Sequence, residues 1–414
     1  MKLLTFLGTG NYRETIYTWQ GKEKRASFAP LASIEFLRPA ALSVFLTEEA
    51  EQEIFPAFRA ALPGDIEVET VSIPLGRDDR ELWNIFASIG RSVKEKEEVA
   101  FDITHGLRSF QVSALLAAAF LRSGLHIHLQ AVLYGAYDVR DQSASPSRTP
   151  MFDLSPMIAL LDWSAAADRF NRTGDARFLA ELLEEQKKEM AQSKGGAPER
   201  RRQVFQLGKL ASTLRDISQS LRLIRPEQAM QQIDGLEARV EQALPALEQT
   251  ADAQPFSLLL NRVLETYNPL AHASPTAPEH LKEGLAVERR MIHWYSERQQ
   301  WVQAVSLARE WLLSWVMSGL GITGLNVLSA RQRIEKVVGS EAREYRQAKQ
   351  SGKVYQPVFL GNITDIETVL DLWLRLTEVR NDIDHAGKRE NPQPPDRLTK
   401  NILSCIQQLE SLPL

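Results

Sequence analysis

Val99-Ala100-Phe101-Asp102-Ile103-Thr104-His105-Gly106-Leu107-Arg108-Ser109-Phe110 holds the turn on which the reading of the N-terminal part rests. Val99–Ile103 is an apolar run of the kind that forms a buried strand, and from Ser109 to Arg122 the apolar residues crowd at helical spacing. A strand passing into a helix through one short polar turn is the βα step of a mostly parallel sheet. The alternation continues on both sides. Lys2–Leu7, Ala41–Leu46, Ile66–Ile73 and Ile127–Tyr134 read as strands, and Asp79–Lys94 reads as a helix carrying Leu82, Ile85, Phe86 and Ile89. Val139–Thr149, with Ser143, Ser145, Pro146 and Ser147, reads as an exposed loop.

From Ser155 the pattern is helical. Helices are expected from Pro156 through Phe170, over Asp175–Met190, and over 199–223, 226–246 and 279–318. Gln192–Pro198 is a break, and His272–Pro278 a linker or turn. The expected organisation is therefore an α/β domain at 1–155, a helical connector at 156–278 and an all-helical domain at 279–414. A chain of 414 residues is long enough for more than one core. Its net charge of −4 gives no global pull on nucleic acid, so a polyanion site has to be local. One cysteine, Cys405, excludes an internal disulfide and fits a reducing cytosol. No signal peptide or membrane-length apolar run is visible, and the expected location is cytoplasmic.

Two strand-end turns carry the chemistry of the first domain. Gly8-Thr9-Gly10-Asn11-Tyr12 follows the first strand, and its glycines permit close backbone approach to a ligand. A dinucleotide fingerprint would want a further glycine at position 13, where this chain has Arg13. The second turn offers Thr104, His105, Gly106 and Arg108, with Ser109 as the expected N-cap of the following helix. Hydroxyl, imidazole and guanidinium groups beside free helix N–H donors make a surface suited to an anion. The plainer reading is that Asp102 and Ser109 only cap the turn.

The second constellation is Arg380-Asn381-Asp382-Ile383-Asp384-His385, at the end of a helical run from Thr364. An imidazole moves protons near neutral pH, and a guanidinium holds phosphate and offsets charge in a transition state. Together they suffice for metal-free RNA cleavage by a 2′-hydroxyl. The plainer reading is an exposed ion pair between Arg380 and Asp384, four residues apart. With seven histidines in the chain, no metal cluster is expected and no cofactor is called for. Glu199-Arg200-Arg201-Arg202 reads as a solvated helix start, and Trp301, Trp311 and Trp315 as core.

Taken together, the two constellations resemble the CARF–HEPN ribonucleases of type III CRISPR defence. The resemblance rests on Leu7–Tyr12, Asp102–Arg108, Thr149–Pro156 with Trp163, Ala308-Arg309-Glu310-Trp311-Leu312, and the Arg-x4-His spacing of Arg380 and His385. It covers 1–165 and about 280–410, and leaves 175–275 without a matching motif. It implies a Rossmann-like sensor that binds cyclic oligoadenylate across a two-fold homodimer. It also implies a HEPN domain that then cleaves single-stranded RNA without metal. On this resemblance Gly8, Thr9, Gly10, Asn11, Tyr12, Thr104, His105, Gly106, Arg108 and Ser109 would line the ligand site. Arg380, Asn381 and His385 would form a composite nuclease site with a second protomer. Two other readings remain: a nucleotide-sensing module whose helices dock RNA or protein without cutting, and a Rossmann oxidoreductase, against which Arg13 argues.

Overall fold

The computed structural model describes residues 1–192, 198–249, 254–388 and 391–414. The expected break at Gln192–Pro198 falls, over 193–197, outside the described residues. The chain forms two compact units, Met1–Asp162 and Trp163–Leu414.

In the first unit eight strands form one sheet: β1 (Lys2–Leu7), β2 (Thr15–Trp19), β3 (Lys22–Ala26), β4 (Ala41–Leu46), β5 (Glu67–Ser72), β6 (Glu98–Asp102), β7 (His128–Gly135) and β8 (Arg148–Asp153). Their order is β3-β2-β8-β7-β6-β1-β4-β5. All pairs are parallel except β2–β3 and β7–β8, so the expectation of a mostly parallel sheet agrees with the structure. The β2–β3 hairpin and β8 were not anticipated. The expected exposed loop Val139–Thr149 ends early, because Arg148 and Thr149 already belong to β8, where Thr149 is buried and pairs with Tyr17 of β2. The two-residue turn of the hairpin is Gln20-Gly21, with φ of 49° and 78°, the left-handed pair that matches strand twist.

Helices α1 (Ala29–Leu37), α2 (Glu48–Glu53), α3 (Phe55–Ala60), α4 (Asp79–Arg91) and α5 (Arg108–Gly124) cover this sheet. Alternate residues of β1 serve two different cores. Leu4 and Phe6 pack with Ile85 and Ile89 of α4 and Phe110 and Ala114 of α5. Leu3 and Leu7 pack with Ile34 of α1, Ala50 of α2 and Phe58 of α3. Both faces are buried, which is why the central strands read as continuous apolar runs.

One local expectation is corrected. The N-cap of α5 is Leu107, with extended backbone and no side-chain cap, and Ser109 lies inside the helix. The helix starts early because Gly106, at φ +100°, completes the turn, and Phe110 N already donates to Leu107 O at 2.8 Å.

Helix α6 (Ser155–Thr173) begins in the first unit, and the division between units falls within it. The second unit continues with α7 (Arg177–Gln192), α8 (Pro198–Arg222), α9 (Pro226–Asp234), α10 (Leu236–Gln249), α11 (Gln254–Tyr267), α12 (Leu281–Glu297), α13 (Trp301–Gly319), α14 (Leu328–Gln350), α15 (Ile366–Asp384) and α16 (Pro395–Glu410). The expected single helices at 226–246 and 279–318 are each two. Gly235 separates α9 from α10, and a left-handed Gln299 (φ 55°) separates α12 from α13. One hydrophobic cluster runs from Trp163 to Leu412, so the spans 156–278 and 279–414 share a core. No described helix is long and apolar enough to cross a membrane.

Candidate functional site

Chain order reverses between β6 and β1. The chain proceeds from β1 outward through β4 to β5, then returns to the other side of β1 with β6 and β7. In open parallel sheets, the crevice beyond the carboxyl ends of strands at such a reversal is where ligands sit. Here that crevice is a cavity of about 540 Å³. It is lined by Gly8, Thr9, Gly10, Asn11, Tyr12 and Arg13 after β1, and by Thr104, His105, Gly106, Leu107 and Arg108 after β6. Tyr137 and Asp138 after β7, Thr47 after β4 and Leu75 after β5 complete the rim. Every sequence-predicted residue of the two turns therefore meets at one cavity except Ser109, which is not among the lining residues.

The two turns are fitted to each other. A Cβ at Gly8 would stand 3.2 Å from Gly106 Cα, and one at Gly106 would stand 3.1 Å from Phe110 Cδ2. Beneath them lies Asp102, fully buried. Its Oδ1 accepts from Thr104 N at 2.9 Å, and its Oδ2 accepts from Ser33 Oγ. Burial raises the Asp102 carboxyl above its ordinary range, and these hydrogen bonds oppose the rise. Thr104 Oγ1 accepts from Gly135 N at 2.8 Å, joining the turns after β6 and β7. Asp102 is thus a strut that ties the turn to Ser33 of α1, which goes beyond the cap of the plainer reading.

His105 is held neutral. Burial pushes its imidazole down to about 4. Its Nε2 accepts the amide hydrogen of Ala29 at 3.0 Å, at the N-terminus of α1. The positive end of a helix disfavours an imidazolium there as well. Tyr12 packs on it edge-to-face with ring centroids 4.6 Å apart, and on Phe28 at the same distance. The Tyr12 hydroxyl donates to Gly8 O at 2.7 Å and accepts from Gly8 N at 3.0 Å, closing the first turn on itself. Burial raises that phenol to about 12. Tyr12 and His105 therefore shape the cavity wall as uncharged groups, and its cations are Arg13 and Arg108. Sequence reading missed Tyr17, Gln111, Tyr134, Tyr137 and Asp138, all of which line it. Applying the strand-end rule to the residues after β7 would have found the last two.

In the second unit, Arg380 and Asn381 lie in the last turn of α15, and His385 is its C-cap. Asn381 and His385 are exposed and Arg380 is partly so. Arg380 Nε lies 3.1 Å from Asp384 Oδ2, the ion pair of the plainer reading. Between them Asp382 turns inward, 3% exposed, and its Oδ2 accepts from Gln393 N at 3.0 Å. That bond ties the helix end to the segment preceding α16. More than two turns earlier on α15, the Arg309 guanidinium of α13 stacks 4.6 Å from the Trp373 ring centroid and pairs with Glu310 and Glu335.

A third grouping was not foreseen. His272, His280 and Glu283 place one potential ligand atom each within 4.8 Å of one another.

Two comparisons bear on this chain. A family model described as the second domain of CRISPR-associated protein MJ1674 matches residues 159–270. CRISPR-associated protein MJ1674 of Methanocaldococcus jannaschii is 29% identical over 123 residues, covering 29% of this chain and 19% of that protein. The chain thus spans about a fifth of the length of the relative it matches. The family-model match falls largely on 175–275, the stretch without a motif in the sequence analysis.

Proposed function

We propose that this protein acts in type III CRISPR antiviral defence as a metal-independent endoribonuclease switched on by cyclic oligoadenylate. In this reading 1–155 is a CARF-like, Rossmann-like sensor, 156–278 a helical connector and 279–414 a HEPN-like nuclease domain. The observation that carries it is the convergence of both strand-end turns on one cavity at the chain reversal of a parallel sheet. Its volume of about 540 Å³ is in the range of small-ligand sites, and Arg13 and Arg108 supply positive charge for phosphate. The likeness to a CRISPR-associated protein over 159–270 adds independent support.

Two features support a homodimer in this reading. Val112, Leu116 and Phe120 form an exposed apolar stripe along α5, four residues apart and so on one face. The stripe starts beside Arg108 and Gln111, which line the cavity. A second copy placed on the stripe would set two cavities side by side, suiting a ligand with repeated phosphates. Two copies would also share out the acid and base roles. Attack by a 2′-hydroxyl requires a base to take its proton and an acid to protonate the departing 5′-oxygen, and one chain offers a single His385. The same pair from a second copy completes the set, Arg380 offsets the charge on the phosphate, and Asn381 orients it.

The test is incubation with labelled single-stranded RNA in EDTA, with cyclic tri-, tetra-, penta- or hexa-adenylate. Ring-dependent cleavage leaving 2′,3′-cyclic phosphate ends is expected. Absence of cleavage with every ring, or cleavage that survives His385→Ala, overturns the reading. Ring binding without cleavage would favour a sensing module that only docks RNA or protein, which the Arg380–Asp384 pair supports.

A further inference from the structure

The connection between α11 and α12 is held more closely than a linker requires. His272 N donates to Met230 O at 3.2 Å, and Thr276 Oγ1 donates to Glu227 Oε1 at 2.8 Å. A Cβ at Gly284 would lie 2.1 Å from Pro275 O, so the loop backbone rests directly on the first turn of α12. This contact carries His272, from inside the loop, to the start of the helix. There His280 Nδ1 lies 2.6 Å and His272 Nε2 3.7 Å from the same carboxylate oxygen, Glu283 Oε2. The two imidazole centroids are 5.7 Å apart.

We propose that His272, His280 and Glu283 bind a divalent first-row transition metal, Zn2+ above all, which staples the α11–α12 loop to α12. His280 and Glu283 alone would be an ordinary pair three residues apart on a helix. The third group, brought by the loop, completes a His2Glu donor set, and three protein ligands with a water in the fourth position are an accepted zinc arrangement. Zinc–ligand bonds of about 2.0–2.1 Å place tetrahedral donors roughly 3.3 Å apart. The 2.6 Å contact must open and the 3.7 Å contact must close, each by less than about 1 Å.

One interaction opposes binding. Ser274 N donates to His272 Nδ1 at 3.1 Å, and a metal on Nε2 needs the proton on Nδ1. Ser274 is exposed, so its amide turns to water instead. Among the seven histidines, His385 takes no part in this site, so RNA cleavage and metal binding stand or fall separately.

The experiment is calorimetric titration of the dialysed full chain with Zn2+, paralleled by Co2+ followed through its visible absorption. One equivalent per chain, a tetrahedral cobalt spectrum and a zinc-dependent rise in melting temperature are expected. His280→Ala and Glu283→Gln, both at accessible positions, should each weaken affinity about 100-fold or more and abolish the melting shift. His293→Ala should change neither. No saturable binding of either ion, or binding unaltered in both variants, overturns the proposal.

Discussion

The cavity beyond the sheet and the end of α15 are built on opposite plans. The cavity is made by backbone: turns after five parallel strands, two of them in near contact at Gly8 and Gly106, with polar struts beneath. Two of its titratable wall residues, His105 and Tyr12, are held neutral by burial. The α15 end is made by side chains: Asn381 and His385 are exposed and Arg380 is partly so, over the last turn and a half of the helix. A binding site gains from preorganised shape, because rigid walls lower the ordering cost of capture. On the proposed function, a site that acts on a long strand gains from exposure. The contrast means that damage to the cavity should be read in stability and affinity, and damage to the α15 end in rate alone.

The sharpest separation is His385→Ala. General acid–base groups contribute about 100- to 10,000-fold to rate, so the ring-dependent cleavage proposed above should fall by that factor. The melting temperature should not move, because the side chain is exposed. A fall in both would erase the distinction between the two regions.

Acid should do the reverse. The folded His105 titrates at about 4, below the roughly 6.5 of an unfolded histidine. Between these values the unfolded chain holds the extra proton, so stability falls as pH drops through the window and is level above it. The loss is at most about 3 kcal/mol at the lower end. Melting measured from pH 7 to 4 should show that slope, and His105→Gln, which keeps an acceptor for Ala29 N, should flatten it. An unchanged slope in the variant would assign the acid sensitivity elsewhere.

Gly106→Ala comes next in size. At φ +100° with a Cβ only 3.1 Å from Phe110 and 3.3 Å from Phe6, alanine is strained in both backbone and packing. A loss of about 2 kcal/mol in the first unit's unfolding is expected, with weakened ring binding. Denaturant melting and ligand titration on the same sample check both.

The same contrast governs what could be read from sequence. The central parallel strands were legible because burial on both faces leaves nearly unbroken apolar runs, as in Leu3–Leu7 and Ala100–Ile103, whereas β8, whose start reads as loop, was not. The β2–β3 hairpin was not, because β3 (Lys-Glu-Lys-Arg-Ala) is an edge strand with charged, exposed residues. The turn residues Gly8–Tyr12 and Thr104–Arg108 were found through their position after strands, a rule about backbone. Ser109 was misplaced because residue type marks a cap only when the backbone breaks there, and Gly106 moved the break. The His272, His280 and Glu283 grouping escaped because it depends on a loop folding back over Gly284, a contact with no local signature.

Tyr12→Phe is the finest test of whether the cavity depends on preorganised backbone. The hydroxyl both donates to Gly8 O and accepts from Gly8 N, so one atom closes the whole Gly8–Tyr12 turn. The phenylalanine ring keeps the packing on His105 and Phe28. What is lost is a pair of partly buried hydrogen bonds, about 1 kcal/mol in all, because freed Gly8 groups recover water at the cavity mouth. If the turn binds ligand through an ordered backbone, ring affinity should drop roughly fivefold, the equivalent of that energy. Cleavage at saturating ring should be unchanged. If affinity is untouched while stability falls by the same amount, the hydroxyl serves the fold alone, and the ligand contacts of this wall come from side chains such as Arg13 and Asn11.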